Sequence, residues 1–133
     1  MQARADSPGV LDLEYITPSR MLHVSLPGGV KVDALLDDGA ESSIMTEAVW
    51  LKTGTPLNRE KKTRIGGVGG EVLETLGCVE QLEISVDGFR TWAHVFVVHA
   101  VPHCAIILGR PWQKAVKMEK IEDTIGVAIT IHD

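Results

Sequence analysis

The chain has 133 residues, 44% of them hydrophobic, and a formal net charge of −5 at pH 7. This length fits one domain with a single modest core. The acidic balance argues against a nucleic-acid-binding surface, which normally needs clustered Lys and Arg, and no apolar run approaches the length of a membrane-spanning helix. No signal peptide is visible before Cys78 and Cys104, so we expect free thiols and an intracellular, cytoplasmic location.

The first third of the chain predicts an irregular arm followed by a β-hairpin. Residues 1–18 mix Pro, Gly, Ser and charged residues without a clear period, which predicts a flexible N-terminal arm with a short pairing segment at Val10 to Tyr15. Met21 to Leu26 alternates between apolar and polar residues, and after a Pro-Gly-Gly turn Val30 to Leu36 returns. The last three residues of the returning strand are all apolar, which indicates burial on both faces.

Frequent turn signals separate the remaining elements. Thr46 to Lys52 fits a short helix that is capped by Thr46 and ended by Gly54. Ile44 to Val49 fits an extended segment equally well. The later predicted elements are a half-buried strand with Leu76, Cys78, Leu82, Ile84 and Val86 on one face, an Asp87-Gly88 turn, a returning strand from Phe89 to Val98, an apolar strand at Ala105 to Leu108, a helix that begins at Arg110-Pro111, and a final strand at Val127 to Ile131. Strands dominate, which predicts an all-β barrel or sandwich.

Two adjacent carboxylates, Asp37 and Asp38, follow the buried strand directly. Burying an ionised carboxylate costs several kcal/mol unless something compensates, so this placement indicates a function. Two carboxyl groups that share one proton have pKa values that split apart, because like charges at close range cannot both ionise easily. Two such carboxyl groups can supply both a base and an acid at the same pH.

Three stretches, in this order, resemble the retropepsin family of aspartic proteases. They are an active-site loop at Leu35-Leu36-Asp37-Asp38-Gly39-Ala40, a flap at Ile65-Gly66-Gly67-Val68-Gly69-Gly70 between two hairpin arms, and a second signature at Ala105-Ile106-Ile107-Leu108-Gly109-Arg110. The resemblance implies an all-β, retropepsin-like closed barrel with one short C-terminal helix. This single-lobe acid protease domain would span residues 19–133.

The resemblance also implies an aspartic endopeptidase with no cofactor and no metal. The chain has one copy of the Asp motif, so the second carboxylate would come from a homodimer in which Asp37 of each protomer meets its mate. Gly39 would allow the tight turn of the loop, and Ala40 would lie beside a peptide or polyprotein substrate. The flap would be mobile and would close over the peptide, and the substrate pockets would be lined by Ala40, Ile65, Val68 and Ile107. Support for the loop and the dimer would come from Ile107, Gly109 and Arg110. The resemblance also places Arg110 in an ion pair, whose partner the sequence does not identify.

The chain departs from the retropepsin pattern at Asp38, where the family has a Ser or Thr that braces the dimer. We hypothesise that Asp38 replaces this hydroxyl in its neutral form, which would favour dimers and activity at acidic pH. The final strand would have an open edge in a monomer. A predicted helix at Lys114 to Glu122 and the run Leu108-Gly109-Arg110-Pro111-Trp112 resemble Ty3/Gypsy-type retrotransposon proteases and their host-domesticated relatives. This resemblance implies polyprotein processing, in the cytoplasm or within retroelement particles.

Several alternatives are open at this point. The fold could serve as a catalytically weak or inactive dimerisation or peptide-binding module, or the chain could be an unrelated small β-barrel binder. The glycine stretch lacks the Lys-Ser/Thr of a phosphate-binding loop. His94, His99, His103 and Cys104 follow no tight zinc-binding spacing, and we expect structural or surface roles for them. The three tryptophans are expected to pack in the core or in an interface: Trp50, Trp92 and Trp112.

Overall fold

A computed structural model describes residues 2–7, 10–15, 21–66, 72–101, 104–122 and 127–132. In these ranges the strands are β1 (Gln2–Ser7), β2 (Val10–Tyr15), β3 (Met21–Leu26), β4 (Val30–Leu36), β5 (Ser43–Thr46), β6 (Arg64–Gly66), β7 (Val72–Glu74), β8 (Gly77–Val86), β9 (Phe89–Val98), β10 (Ile106–Leu108), β11 (Glu119–Glu122) and β12 (Val127–His132). The α-helices are α1 (Glu47–Thr53) and α2 (Arg110–Ala115).

Six of these strands close a barrel in the order β10-β4-β3-β8-β9-β5. The short strand β10 lies between β4, to which it is parallel, and β5, to which it is antiparallel. All three residues of β10 are buried, because both edges are paired and both faces are covered. The prediction of an all-β closed barrel is confirmed.

Two hairpins of the barrel follow from local sequence. In β3 the side chains of Leu22, Val24 and Leu26 are buried and alternate with more exposed ones, as predicted. The turn between β8 and β9 places Asp87 at φ 52° and Gly88 at φ 84°, the pair of positive values that an Asp-Gly hairpin turn accommodates.

The predicted single face of β8 is only partly right. The strand has a bulge, since Val79 pairs with Val95 whereas Leu82 pairs with Ala93. Cys78 and Val79 are both buried as a result, and the alternation resumes at Leu82.

One helix prediction is right and the other is only partly right. Helix α1 begins after Thr46, whose Oγ1 accepts a hydrogen bond from the Val49 N–H at 3.4 Å, and it ends at Gly54 with φ 68°. Helix α2 begins at Arg110, but the predicted helix through Glu122 is wrong. Lys117 adopts a left-handed φ of 50°, which ends the helical path, and β11 follows and pairs with β12.

The chain termini form a second, four-stranded sheet in the order β1-β2-β12-β11. Residues 1–18, expected to form a flexible arm, therefore contain two paired strands, and β2 coincides with the pairing segment predicted at Val10 to Tyr15. The open edge predicted for the final strand is wrong, because β12 pairs with β2 on one side and with β11 on the other. Ile131 of β12 is fully buried in the core, which attaches this sheet to the barrel.

The three tryptophans have different environments. Trp112 is buried, and Trp50 is half-buried and donates a hydrogen bond to the Thr55 carbonyl at 2.9 Å. Trp92 is 50% exposed, with the Arg90 guanidinium 5.9 Å from its ring centre. Packing in the core is therefore confirmed for Trp112 but not for Trp92. In the described part of the chain, no helix has the length and apolar character needed to cross a membrane.

Candidate active site

Asp37 is the first residue after β4, and three hydrogen bonds, two of them between main-chain groups, fix the loop around it. Its N–H donates to the Leu108 carbonyl of β10 at 3.2 Å, and its carbonyl accepts from the Ala40 N–H at 3.2 Å. The Gly39 N–H donates to the Asp37 Oδ1 atom at 2.9 Å. The loop therefore orients the carboxylate of the half-buried Asp37, while Asp38 and Gly39 are exposed.

A second set of contacts ties the far side of this loop to the end of β10. The Arg110 N–H donates to the Ala40 carbonyl at 2.8 Å, and the Gly109 N–H donates to the Ser43 Oγ at 3.0 Å. A Cβ atom at Gly109 would lie 2.7 Å from the carbonyl oxygens of both Ala40 and Ser42, so only glycine fits without displacing the loop. Sequence reasoning identified Gly109 and missed Ser43, whose hydroxyl directly before the apolar Ile44 and Met45 was the available signal.

A small apolar cluster lies beside the loop and forms a candidate substrate floor, here called the floor cluster. Its buried members are Ile44, Val98, Val101 and Ile107, and partly buried residues pack against them: Leu35, Ala40, Ile65, Leu73, Phe96 and Cys104. The structure thus brings together three of the predicted pocket residues, namely Ala40, Ile65 and Ile107. Sequence reasoning did not identify Leu73, Phe96 or Val101, because their proximity depends on pairings between distant segments.

Cys104 joins this cluster next to the predicted catalytic residue. Burial raises the pKa of the Cys104 thiol, and the nearby negative charge of Asp37 raises it further. The protonated thiol is therefore favoured, and it contributes apolar surface to the floor cluster. Cys78 and Cys104 both carry free thiols.

The predicted flap hairpin is described in its two arms. Strands β6 and β7 pair antiparallel, with Ile65 opposite Leu73. At the base of the hairpin, the Thr63 N–H donates to the Thr75 Oγ1 at 2.9 Å and the Thr75 N–H donates to the Thr63 carbonyl at 2.9 Å. Both arms contribute a side chain to the floor cluster. The predicted tip, with Gly67, Val68, Gly69 and Gly70, lies outside the described residues, whereas Gly66 ends β6.

The exposed Asp38 has a different environment from the floor cluster. It lines a groove together with the cations Arg110, Lys114 and Lys117. Glu41 lines a second groove that shares Arg110 and Lys114 with the first. The predicted bracing residue Arg110 thus lies beside the departure from the retropepsin pattern.

The histidines considered as zinc ligands are dispersed. His94 and His99 are exposed, and His99 Nδ1 lies 3.4 Å from a carboxylate oxygen of Glu47. His103 lies outside the described residues. Within the described ranges, no group of three or more His, Cys, Asp or Glu side chains is arranged to hold a metal ion.

Comparison with known proteins agrees with this geometry. A family profile described as aspartyl protease matches residues 22–112, more than half of the chain. The retroviral protease-like domain of Ddi1 from Leishmania major has a similar structure, with a TM-score of 0.66 and 19% identity over 85% of this chain and 94% of that one. EIAV protease, in complex with the inhibitor HBY-793, gives a TM-score of 0.64 and 24% identity over 83% of this chain and 100% of that one.

These two structural likenesses concern the fold, since both identities are low. A search of curated proteins gives no significant match. The profile match covers the Asp37 loop, both arms of the hairpin and the β10 signature. The chain therefore belongs to the aspartyl protease family and has a retropepsin-like fold.

Proposed function

We propose that this protein is an aspartic endopeptidase that works as a homodimer, with Asp37 of each protomer on either side of one water molecule. The observation that supports this proposal most directly is the loop that holds Asp37. Main-chain hydrogen bonds orient its carboxylate at the edge of an apolar floor, and a two-stranded hairpin reaches the same floor.

The chemistry follows from two carboxyl groups with one proton between them. The ionised Asp37 accepts a proton from the water as the water oxygen attacks the peptide carbonyl carbon. The protonated Asp37 of the partner subunit donates its proton to the carbonyl oxygen, which gives a neutral diol. The diol then collapses: the ionised Asp37 of the partner subunit takes a proton from one diol hydroxyl as the C–N bond breaks, and the departing nitrogen receives a proton from the Asp37 that took it from water. Each carboxyl group returns to its starting protonation state.

The substrate in this proposal is an extended peptide between the hairpin and the floor cluster. An extended chain offers main-chain groups to β6 and β7 while alternate side chains enter the apolar floor. The sequence prediction that a flap with Gly66, Gly67, Gly69 and Gly70 closes over the peptide and excludes water is part of this proposal. The proposal keeps the roles that the sequence predicts for the remaining residues. The tight turn belongs to Gly39, the pocket to Ala40 and Ile107, and support of the loop and the dimer to Ile107, Gly109 and Arg110.

The biological setting is a further part of the proposal. The run Leu108-Gly109-Arg110-Pro111-Trp112, which resembles Ty3/Gypsy-type proteases, supports a role in processing a retroelement polyprotein, in the cytoplasm or within a retroelement particle. In this setting residues 19–133 act as the protease domain, and neither nucleic acid nor a membrane takes part in its reaction.

A second candidate function is a catalytically weak or inactive dimerisation or peptide-binding module. The observation that favours it is Asp38, because this residue adds a second carboxylate next to Asp37 in each protomer. Four carboxylates near one axis would raise the free energy of the charged site unless cations or protons compensate.

A cleavage assay separates these two functions. Purified protein is incubated with a mixture of peptides of random sequence, with and without a pepstatin-type inhibitor, and products are identified by mass spectrometry. We expect Asp37→Asn to lower kcat by about 10²- to 10⁴-fold, the contribution typical of general acid–base catalysis, with an unchanged circular dichroism spectrum. Equal cleavage by the wild type and Asp37→Asn, or no cleavage by either, would reject the protease.

A further inference from the structure

The surface around Asp38 carries both signs of charge, and this surface leads to a specific inference about the dimer. Asp38 lines a groove of about 310 Å³ with Arg110, Lys114 and Lys117. Glu41 lines the neighbouring groove, to which Arg110 and Lys114 also contribute. We call these five residues the loop–helix surface, because the acids lie on the active-site loop and its extension while the cations lie on or just after α2.

All five side chains of the loop–helix surface are exposed. Among the described residues, no ion pair within 4 Å involves the cations Arg110, Lys114 or Lys117. The two grooves bring two acids and three cations side by side. Such a surface is complementary to a second copy of itself, because a two-fold contact lets each acid of one copy face a cation of the other.

Arg110 is the best placed of these cations. Its own N–H donates to the Ala40 carbonyl at 2.8 Å, which fixes its main chain against the active-site loop. It borders both the groove of Asp38 and the groove of Glu41. Its planar guanidinium can bind both oxygens of a carboxylate, whereas a lysine ammonium cannot do so in the same plane.

We propose that Asp38 of each protomer is ionised and forms an ion pair with Arg110 of a second copy, with Lys114 and Lys117 adding positive charge around it. The two reciprocal pairs replace the hydroxyl brace of other retropepsins and hold the Asp37 loops together. This inference rests on the proposed homodimer. It differs from the hypothesis of a neutral Asp38, because three neighbouring cations stabilise the charged form of a carboxyl group.

The decisive experiment uses charge reversal in two separate proteins. Asp38→Arg and Arg110→Asp are each expressed as full chains and examined by sedimentation velocity, alone and mixed in equal amounts. Each variant alone faces like charges across the two-fold axis and is expected to be monomeric at concentrations where the wild type is dimeric. In the mixture both pairs become attractive, so heterodimers and peptide cleavage are expected to return.

Two milder measurements keep the proposal testable if a reversed variant folds poorly. Asp38→Asn keeps the shape and hydrogen-bonding capacity of the side chain, and we expect it to weaken the dimer by about tenfold, as the loss of two solvent-accessible ion pairs implies. Raising NaCl from 50 to 500 mM is expected to weaken the wild-type dimer and to affect Asp38→Asn much less. Lys31→Asp, at the opposite end of β4 from Asp37, is the control and is expected to dimerise as the wild type does.

The possible results are distinct. The proposal would be overturned if Asp38→Asn dimerised as tightly as the wild type and the wild-type dimer did not weaken with salt. That result would favour a neutral, hydrogen-bonding Asp38. Rescue by Asp38→Arg/Arg110→Asp in one chain, without rescue in the mixture, would also overturn it, because the pair would then lie within one protomer. If the mixture forms heterodimers while the wild type cleaves no peptide, the interface stands and the proposed protease function fails.

Discussion

At the residue scale, Gly109 has no Cβ atom, and this allows the active-site loop to pack closely against the end of β10. Its φ is not in the left-handed region, so another residue could adopt its backbone conformation. What excludes a Cβ atom is the close approach of two loop carbonyls, those of Ala40 and Ser42, at 2.7 Å. The same approach allows the Gly109 N–H to donate to Ser43, which is only 2% exposed.

We therefore predict that Gly109→Ala displaces the active-site loop and lowers kcat/KM by more than its effect on stability explains. Gly88→Ala is the matched control, because its Cβ would meet nothing within 4 Å but its φ is 84°. The control should lose about 1–2 kcal/mol of stability through backbone strain and keep its activity. Peptide cleavage per folded molecule and denaturant unfolding measure both quantities. Wild-type kcat/KM in Gly109→Ala would contradict the role of the close contact.

A surface carboxylate, Glu80, gives a prediction about pH. A hydrogen bond from the Asn58 side chain at 2.6 Å, together with Lys61 at 3.3 Å, lowers the pKa of the Glu80 carboxyl below its ordinary value. A carboxyl whose pKa is lower in the folded state stabilises the fold above its unfolded pKa, about 4.3. That contribution disappears as pH falls through the folded pKa.

We accordingly expect Glu80→Gln to be less stable than the wild type near pH 6, with a difference that shrinks as pH falls below 4. Thermal unfolding at pH 3 to 7 measures this difference, and the exposed Glu60→Gln serves as the control. A difference between wild type and Glu80→Gln that stays constant over this range would refute the prediction.

At the element scale, the parts that could be predicted from sequence are those encoded by local signals. The β3–β4 hairpin, helix α1 and the Asp87-Gly88 turn follow from alternation, a capping threonine and positive-φ residues. The bulge in β8 and the end of α2 at Ala115 were not predicted, because pairings of β8 with β9 and of β11 with β12 decide them. The same reason applies to the candidate site, where pattern identified Asp37, Gly109 and the two hairpin arms of the predicted flap but did not identify Ser43 or the distant floor residues.

The base of the flap hairpin provides the first prediction at this scale. Thr75 is buried, and its Oγ1 accepts the Thr63 N–H. In Thr75→Val this N–H loses its acceptor, so the arms β6 and β7 should open more often. We expect faster hydrogen exchange in both arms and a higher KM for peptides with a smaller change in kcat. Unchanged exchange and an unchanged KM would show that the threonine does not anchor the hairpin.

Helix α2 provides the second prediction at the element scale. Its buried Trp112 donates from Nε1 to the Thr91 Oγ1 of β9 at 2.9 Å, and Thr91 donates to the Ile84 carbonyl at 2.7 Å. Thr91→Val would leave the buried indole N–H without an acceptor, which costs about 1–3 kcal/mol. Urea unfolding measures this loss, with the exposed Thr63→Val as a control expected to change stability by less than about 0.5 kcal/mol. Equal stabilities for the two variants would contradict this account of α2.

At the scale of the whole molecule, the barrel and the hairpin bring together one half of the proposed catalytic site. The barrel supplies one Asp37 loop, and the described residues contain no second loop of this kind to complete it. Retropepsin-like chemistry needs two carboxyl groups, so the proposed activity belongs to a pair of chains. The loop–helix surface offers a contact by which such a pair would form.

The central claim, that both protomers must supply Asp37, is tested most directly by mixing the wild type with Asp37→Asn. A fixed amount of wild-type protein is equilibrated with increasing amounts of the variant, and peptide cleavage is then measured. If heterodimers are inactive and form as readily as homodimers, activity falls to about one half at equal amounts and to about one tenth at a ninefold excess. Activity that stays at the wild-type level throughout the titration would contradict the claim, because it would mean that one chain suffices.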